Sequence, residues 1–466
     1  MLFPSEVFLF LFLPLLLILY YGIFLHKPRA KNILLVIASL LFYAYGEPVY
    51  VFLMLFVILI HYGFGFLICR YHDSSSVKKW LVFFNVAIDL SILGVFKYTD
   101  FLLSNINGIF STSIAMTGIA LPIGISFFTF QAISLTVDLS REQDPVRPTF
   151  MDVALYISFF PQLIAGPIVR YKTIAHEIRH RKENVHDFST GVSRFIYGLG
   201  KKVLLANQFA VVADAAFNQM ASNSLLMFWL GAVSYTLQIF FDFSGYSDMA
   251  IGLGRMFGFH FEENFRYPYI SKSVQEFWRR WHISLQTWFR DYVYIPMGGS
   301  RVKSKLRLVF NIFVVWLLTG VWHGANWTFI CWGIMYGILL LLERFTGFHK
   351  KLGGFSRIYT LFFVMAGWVI FRSPNLADAG RYLAGMFGVG CSEAAGPVFW
   401  QYLRQYGLWY LSGFVCCTPF LNNMERMFRK NKTFMGAQVA FSVIVFAVSV
   451  FFIFSNAYSP FIYFNF

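Results

Sequence analysis

Two histidines of this chain sit in settings that could support chemistry. His323 sits in GVWHGANW, inside a stretch from 308 to 342 that carries no charged residue. His282 sits in EFWRRWHISLQTWFRDY, residues 276 to 292, among three tryptophans and three arginines. An imidazole can take a proton from one atom and return it to another near neutral pH, so both are candidates for general acid–base chemistry. The competing reading of His323 is a packing histidine bonded to a neighbouring carbonyl. Its neighbours favour more: Gly320, Gly324 and Ala325 permit close backbone approach, while Trp322 and Trp327 can wall a cavity.

On one continuous helix, Trp278, Trp281, Leu285 and Trp288 form a row, and Arg279, His282, Gln286 and Arg290 form the row beside it. Such a helix at the cytoplasmic boundary buries its tryptophans and presents cations along its edge. The plain reading is an interfacial anchor whose arginines reach anionic lipid. The functional one is an entry site at which Arg279, Arg280 and Arg290 pair with a phosphorylated ligand. A third polar island, FDFSGYSDMAIGLG, puts Asp242, Ser244, Tyr246, Ser247 and Asp248 into an apolar run. Carboxylates at membrane depth are costly unless paired or hydrated, which suggests a water-accessible cavity. Close helix packing through Gly245, Gly252 and Gly254 is the alternative, and the two are compatible.

The elements that position these residues must be membrane helices. Hydrophobic residues make up 58% of the 466 positions and charged residues 13%, a balance that a water-soluble surface does not carry. Apolar segments run at about 6–25, 33–46, 48–69, 80–97, 101–120, 121–139, 150–169, 191–215, 224–258, 308–342, 358–371, 399–420 and 436–456. Several are short or rich in Gly and Pro. The expectation is an all-α polytopic membrane protein with roughly eleven membrane helices, plus re-entrant and in-plane pieces, in one membrane-embedded domain. LPIGISFFTFQ (121–131) and PQLIAGPIVR (161–170) read as broken or re-entrant. Basic clusters bracket 308–342, so that stretch is expected to dip in and return with His323 at a buried turn.

Lys plus Arg outnumber Asp plus Glu by 38 to 23. The positive-inside bias of short loops explains this excess better than nucleic-acid binding does. It places Lys27, Arg29 and Lys31, then Arg70, Lys78 and Lys79, then Arg426, Arg429, Lys430 and Lys432, and the stretch from Arg266 to Arg307, on the cytoplasmic side. The first span has no basic residue before it and HKPRAK after it, so it reads as a retained span with its N-terminus outside. The tail, residues 457–466, then lies outside. The five cysteines show no paired Cys-x-x-Cys spacing, which indicates neither a disulfide framework nor a metal site.

Five blocks, SFFPQLIAGPIVR, DFSGYSDMAIGLGRMFGFHFEENFRYPY, EFWRRWHISLQTWFRDYVYIPMGG, WLLTGVWHGANW and GWVIFRSPNLADA, occur in order along the chain. In these the sequence resembles the membrane-bound O-acyltransferase family, of the bacterial alginate O-acetyltransferase type. The resemblance implies a ring of tilted helices around a central tunnel, with the position of His323 catalytic and that of His282 its companion. It implies no bound cofactor and acetyl-CoA, or another acyl thioester, as donor on the cytoplasmic side. Donor-binding or tunnel-lining candidates are Trp278, Arg279, Arg280, Trp281, Arg290, Asp242, Ser244, Tyr246, Asp248, Trp322 and Asn326. Some relatives end in an aromatic tail whose tyrosine is proposed to receive the acyl group, which nominates Tyr463. A phenol (pKa about 10) is close to a thiol (about 8.5) as a leaving group, so an acyl-tyrosine keeps most of the thioester's transfer potential.

The implied activity is O-acetylation of an extracytoplasmic polysaccharide, an exopolysaccharide such as alginate or peptidoglycan, from the bacterial inner membrane. The chain contains no Gly-x-Ser-x-Gly nucleophile elbow, so a separate extracytoplasmic transferase, SGNH-type or AlgJ- or AlgX-like, is the expected partner besides membrane lipids, and nucleic acid is not one. The rival within the family is D-alanyl transfer to teichoic acids. The rival outside it is a polysaccharide transporter without covalent chemistry, which accounts equally well for polar groups in apolar runs.

Overall fold

The computed structural model describes residues 1–24, 27–428 and 431–455. In chain order its main helices are α1 (Phe8–Ile23), α2 (Pro28–Gly46), α3 (Val51–Arg70), α4 (Ser75–Phe110), α5 (Ile125–Arg141), α6 (Phe150–Ser158), α7 (Phe160–Leu163), α8 (Tyr171–His180) and α9 (Val185–Gly200). They continue with α10 (Asn207–Asn218), α11 (Leu225–Met256), α12 (Val274–Arg280), α13 (Ile283–Phe289), α14 (Lys305–His323), α15 (Trp327–Thr346), α16 (Phe348–Lys351), α17 (Ser356–Arg372), α18 (Leu376–Gly385), α19 (Pro397–Cys416), α20 (Phe420–Phe428) and α21 (Lys432–Phe454).

The described residues contain no strand. Seven of their helices are long and apolar enough to cross a membrane: α3, α4, α11, α14, α15, α17 with its lead-in from Gly353, and α21. The shorter apolar helix α1 adds an eighth candidate. The count of roughly eleven is not confirmed by these helices. The breaks read in the sequence are present: in PQLIAGPIVR the chain leaves α6 at Ser158, makes the single turn α7, and runs without helix from Ala165 to Arg170. LPIGISFFTFQ holds another. Gly124, at φ +76°, turns the chain into α5, and a side chain there would collide with the backbone of Leu163.

The chain forms two compact units, interleaved in sequence. One comprises residues 1–195 and 249–262, the other 196–248 and 263–466. In the first, α3, α4 and α5 pack around buried polar pairs. His61 meets the Asp89 carboxylate at 3.1 Å, and Thr136 donates to Asn85 at 2.7 Å. Lys31, Arg181 and Tyr20 close on Glu183, and Arg170 pairs with Glu262 at 2.6 Å. Gly252 lies against Gly191 so closely that a Cβ would stand 2.6 Å from the Gly191 carbonyl oxygen, and a Cβ at Gly254 would meet the ring of Phe261.

In the second unit, α14 and α15 are antiparallel neighbours joined by a turn of three residues. The side chain of Ser304 caps α14 by accepting from the Arg307 amide, and that of Asn326 caps α15 by accepting from the Thr328 amide. Gly320 and Gly333 face one another, and a Cβ on either would strike the opposite backbone. Each helix is a full span in length. The stretch does turn back at a buried His323, as expected, but it does so between two full-length helices and not as a dip and return. The core of this unit is aromatic, with Trp278, Trp281, Trp316, Trp332, Tyr336, Trp368 and Phe371 in one cluster.

Candidate active site

The passage expected to be one amphipathic helix is two. Trp281 is extended (φ −106°, ψ 130°) and His282 is left-handed (φ 47°, ψ 51°), so α12 stops and α13 starts in a new direction. The row of tryptophans is thus not a membrane-surface stripe. Trp278 packs edge-on against Trp332 and Tyr336, at ring-centroid distances of 5.3 and 4.8 Å, and Trp281 lies 4.8 Å from Trp368. A non-glycine residue in the left-handed region gives up about 1–2 kcal/mol, so something must hold His282 there.

Asn264 does. Its backbone oxygen accepts from the Ile283 amide at 3.0 Å, and its side-chain oxygen accepts from the Ser284 amide and hydroxyl at 3.2 and 2.9 Å. Those are the first N–H groups of α13, which His282 itself does not cap. The Asn264 amide nitrogen donates to Ser247 at 3.0 Å, which fixes the amide's orientation. His282 Nδ1 lies 3.2 Å from the same Asn264 oxygen. An acceptor there assigns the proton to Nδ1 and the lone pair to Nε2. The ring meets Phe243 edge-on at 4.6 Å. Burial pushes its pKa down to about 3, so it is a neutral ring at any physiological pH.

The start of α12 is held by a distant carboxylate. Glu343, near the end of α15 and buried, accepts from the Val274 and Gln275 amides at 2.7 and 3.0 Å. This is an N-cap supplied across the fold, and it pins the tryptophan-bearing helix to the helix that follows His323.

His323 is 7% exposed, and its ring touches Trp322, Trp332 and Phe371 at 5.0, 5.0 and 5.1 Å. Trp322 also lies 5.9 Å from the ring of His282. The two histidines, 41 positions apart in sequence, both lie beside this one indole. Of the other expected residues, Trp278, Trp281 and Trp322 belong to this aromatic assembly. Asp242 adjoins Phe243 and is paired with Lys202 at 2.7 Å, with both side chains almost fully buried. Asp248 pairs with Lys201 at 2.6 Å, and Gly245 packs on the Gly198 carbonyl. Paired carboxylates and close glycine packing therefore coexist on α11. Ser244 and Tyr246 are buried on the same helix.

The remaining candidates do other work or stand apart. Asn326 caps α15 and donates to the Pro374 carbonyl at 2.9 Å. Trp327 is 52% exposed, so it does not wall the site as expected, because it begins α15 on the outer face of the turn. Arg280 is bound to Glu276 and to the Arg266 carbonyl, Arg290 to Asp291, and Arg279 is exposed. Tyr463 lies outside the described residues, as do Arg429 and Lys430. Asn264, Phe243, Lys202, Trp332 and Phe371 were not anticipated. A signal existed only for Asn264 and Lys202, polar side chains bordering apolar runs in EENFR and GLGKK. Among the described residues no group of three His, Cys, Asp or Glu is placed to hold a metal ion.

What remains is a pair of imidazoles buried among aromatic rings, one of them with its tautomer set by Asn264. That arrangement suits proton transfer to and from an oxygen or sulfur atom. The model of the membrane-bound O-acyltransferase family matches residues 39–377. The chain is 44% identical to a probable alginate O-acetylase, AlgI, of Pseudomonas putida, across 84% of this chain and 81% of that one. It is 33% identical to the peptidoglycan O-acetyltransferase of Helicobacter pylori across 100% of this chain and 98% of that one. A teichoic acid D-alanyltransferase of Bacillus subtilis is 32% identical over 48% of this chain and 59% of its own length.

Proposed function

This chain belongs to the membrane-bound O-acyltransferase family, and on that premise we propose that it carries acetyl groups through the membrane to O-acetylate an extracytoplasmic polysaccharide. The observation that carries the reading is the pair of buried histidines beside Trp322, inside a chain whose long similarities are to O-acetyltransferases. The D-alanyl alternative is supported by similarity to only half of the chain. Against a transporter without covalent chemistry stand the long similarities, which are to O-acetyltransferases.

In the proposed mechanism His323 is the general base. It takes the proton of the attacking hydroxyl as oxygen bonds to the thioester carbonyl carbon, and it returns that proton to the departing thiolate. The donor is acetyl-CoA or another acyl thioester, reached from the cytoplasm. Positive-inside reasoning puts the C-terminal end of α11, with Arg255, Lys201 and the 266–307 stretch, on that side. His282 packs on Phe243, nearer that end, and is the donor-side companion. Arg279 is exposed and free to meet a phosphate, whereas Arg280 and the likewise exposed Arg290 would first have to leave their carboxylates. Tyr463 is the proposed first acceptor, from which an extracytoplasmic SGNH-type transferase in the bacterial envelope takes the acetyl group to the glycan.

The test is a His323→Ala strain. Loss of polysaccharide O-acetylation with polymer still exported supports the enzyme, and loss of export would support the transporter.

A further inference from the structure

We infer that the indole N–H of Trp332 is the donor that holds the acyl carbonyl oxygen as it becomes an oxyanion, a role that rests on acyl transfer occurring at His323. Trp332 is completely buried, yet its Nε1 has no hydrogen-bond acceptor. Buried indole N–H groups ordinarily find one, and an orphan asks for a reason. This orphan is beside the reacting imidazole. The Trp332 ring stands 5.0 Å from that of His323 at an interplanar angle of 82°.

Further donors with the same deficit lie next to it. Thr328, one helical turn earlier on the same face of α15, is fully buried with an unpartnered hydroxyl. Trp278, edge-on to Trp332 at 5.3 Å, also has an indole N–H without an acceptor. Trp368, stacked on Trp332 at 6.2 Å, has an indole N–H in the same condition, whereas Tyr336 reaches the Phe363 carbonyl at 3.5 Å. Donors without acceptors therefore gather around His323, where a substrate oxygen would arrive. The contact of Gly320 with Gly333 locks α15 against α14, so Trp332 and His323 hold their spacing. A donor that needs no reorganisation during the reaction is the most effective kind.

The step balances as follows. The hydroxyl oxygen bonds to the carbonyl carbon while His323 takes its proton, and the C=O π pair moves onto oxygen, where the Trp332 N–H binds it. Collapse restores C=O and breaks the C–S bond, and the thiolate takes the proton back from the imidazolium.

The test replaces Trp332 with β-(3-benzothienyl)alanine, which keeps the ring's shape but puts sulfur where the N–H was, with Trp332→Phe alongside it. Acyl transfer from acetyl-CoA by the purified protein is measured with His323→Ala as reference. The proposal expects an inactive reference, and for the isostere a kcat reduced by about 10²–10³ with an unchanged donor KM and melting temperature. A kcat for the isostere within about threefold of wild type, beside an inactive His323→Ala, overturns the proposal and leaves the function standing. A fully active His323→Ala overturns both.

Discussion

At the scale of the residue, Asn264 matters as much as the histidine it serves. Its carboxamide and backbone oxygens satisfy the first amides of α13 and the Nδ1 proton of His282 together. Asn264→Leu leaves the backbone bond to Ile283 in place but removes the side-chain acceptor of the Ser284 amide and hydroxyl and of His282 Nδ1, at about 1–3 kcal/mol for each donor orphaned. A fall in melting temperature in detergent, with acyl transfer reduced at least tenfold, is the expected result. A variant with the stability and activity of wild type would show that the left-handed turn needs no such support. His282 also makes a prediction in pH. Its folded pKa of about 3 lies below the unfolded value of about 6.5, so between these limits the unfolded chain binds the extra proton. Folding stability must therefore fall as pH drops below about 6.5, by up to about 1.4 kcal/mol per unit from this group. Melting temperatures from pH 7 to 5 should decline more steeply for wild type than for His282→Gln, and equal slopes would mean that the ring is hydrated or charged. The residue types announced themselves in the sequence, because a histidine in an uncharged run is conspicuous. Asn264 did not, since only the folded backbone brings it to His282.

The elements show where sequence periodicity misleads. Spacings of three and four through Trp278, Trp281, Leu285 and Trp288 suit a single helix. The break at Trp281 and His282 is held by Asn264, which satisfies the first amides of α13 from a distance, and no local pattern encodes that contact. The start of α12 has a local cap from Ser273, to which Glu343 adds two more amide contacts. The glycines of α11 and α14 were legible as packing positions, and the close contacts of Gly245, Gly252 and Gly320 bear that out, whereas Gly333 on α15 was not anticipated. Gly333→Val puts a branched side chain into the Trp316 carbonyl, and overpacking of this kind costs about 1–3 kcal/mol or more. Because it separates α14 from α15, it should depress acyl transfer more than Gly436→Val, which has open space around its Cα. Comparing the two at matched folded fraction checks this, and equal activities would argue against the α14–α15 contact as the element that holds His323.

For the molecule as a whole, the class was plain from composition, because a chain with 58% hydrophobic and 13% charged residues has nowhere to be but the membrane. The number of spans was not plain, since apolar length does not tell a span from a pair of short helices joined inside the fold. The proposed relay through the tail belongs at this scale. Incubation with labelled acetyl-CoA should leave label on the C-terminal peptide of wild type and none on Tyr463→Phe, and an active Tyr463→Phe enzyme would remove the relay. The central claim needs neither tail nor partner. It is tested most directly by thiol release from acetyl-CoA in the purified protein, wild type beside His323→Ala. The account predicts steady release by wild type and none above background by the variant, and equal release by both would contradict it.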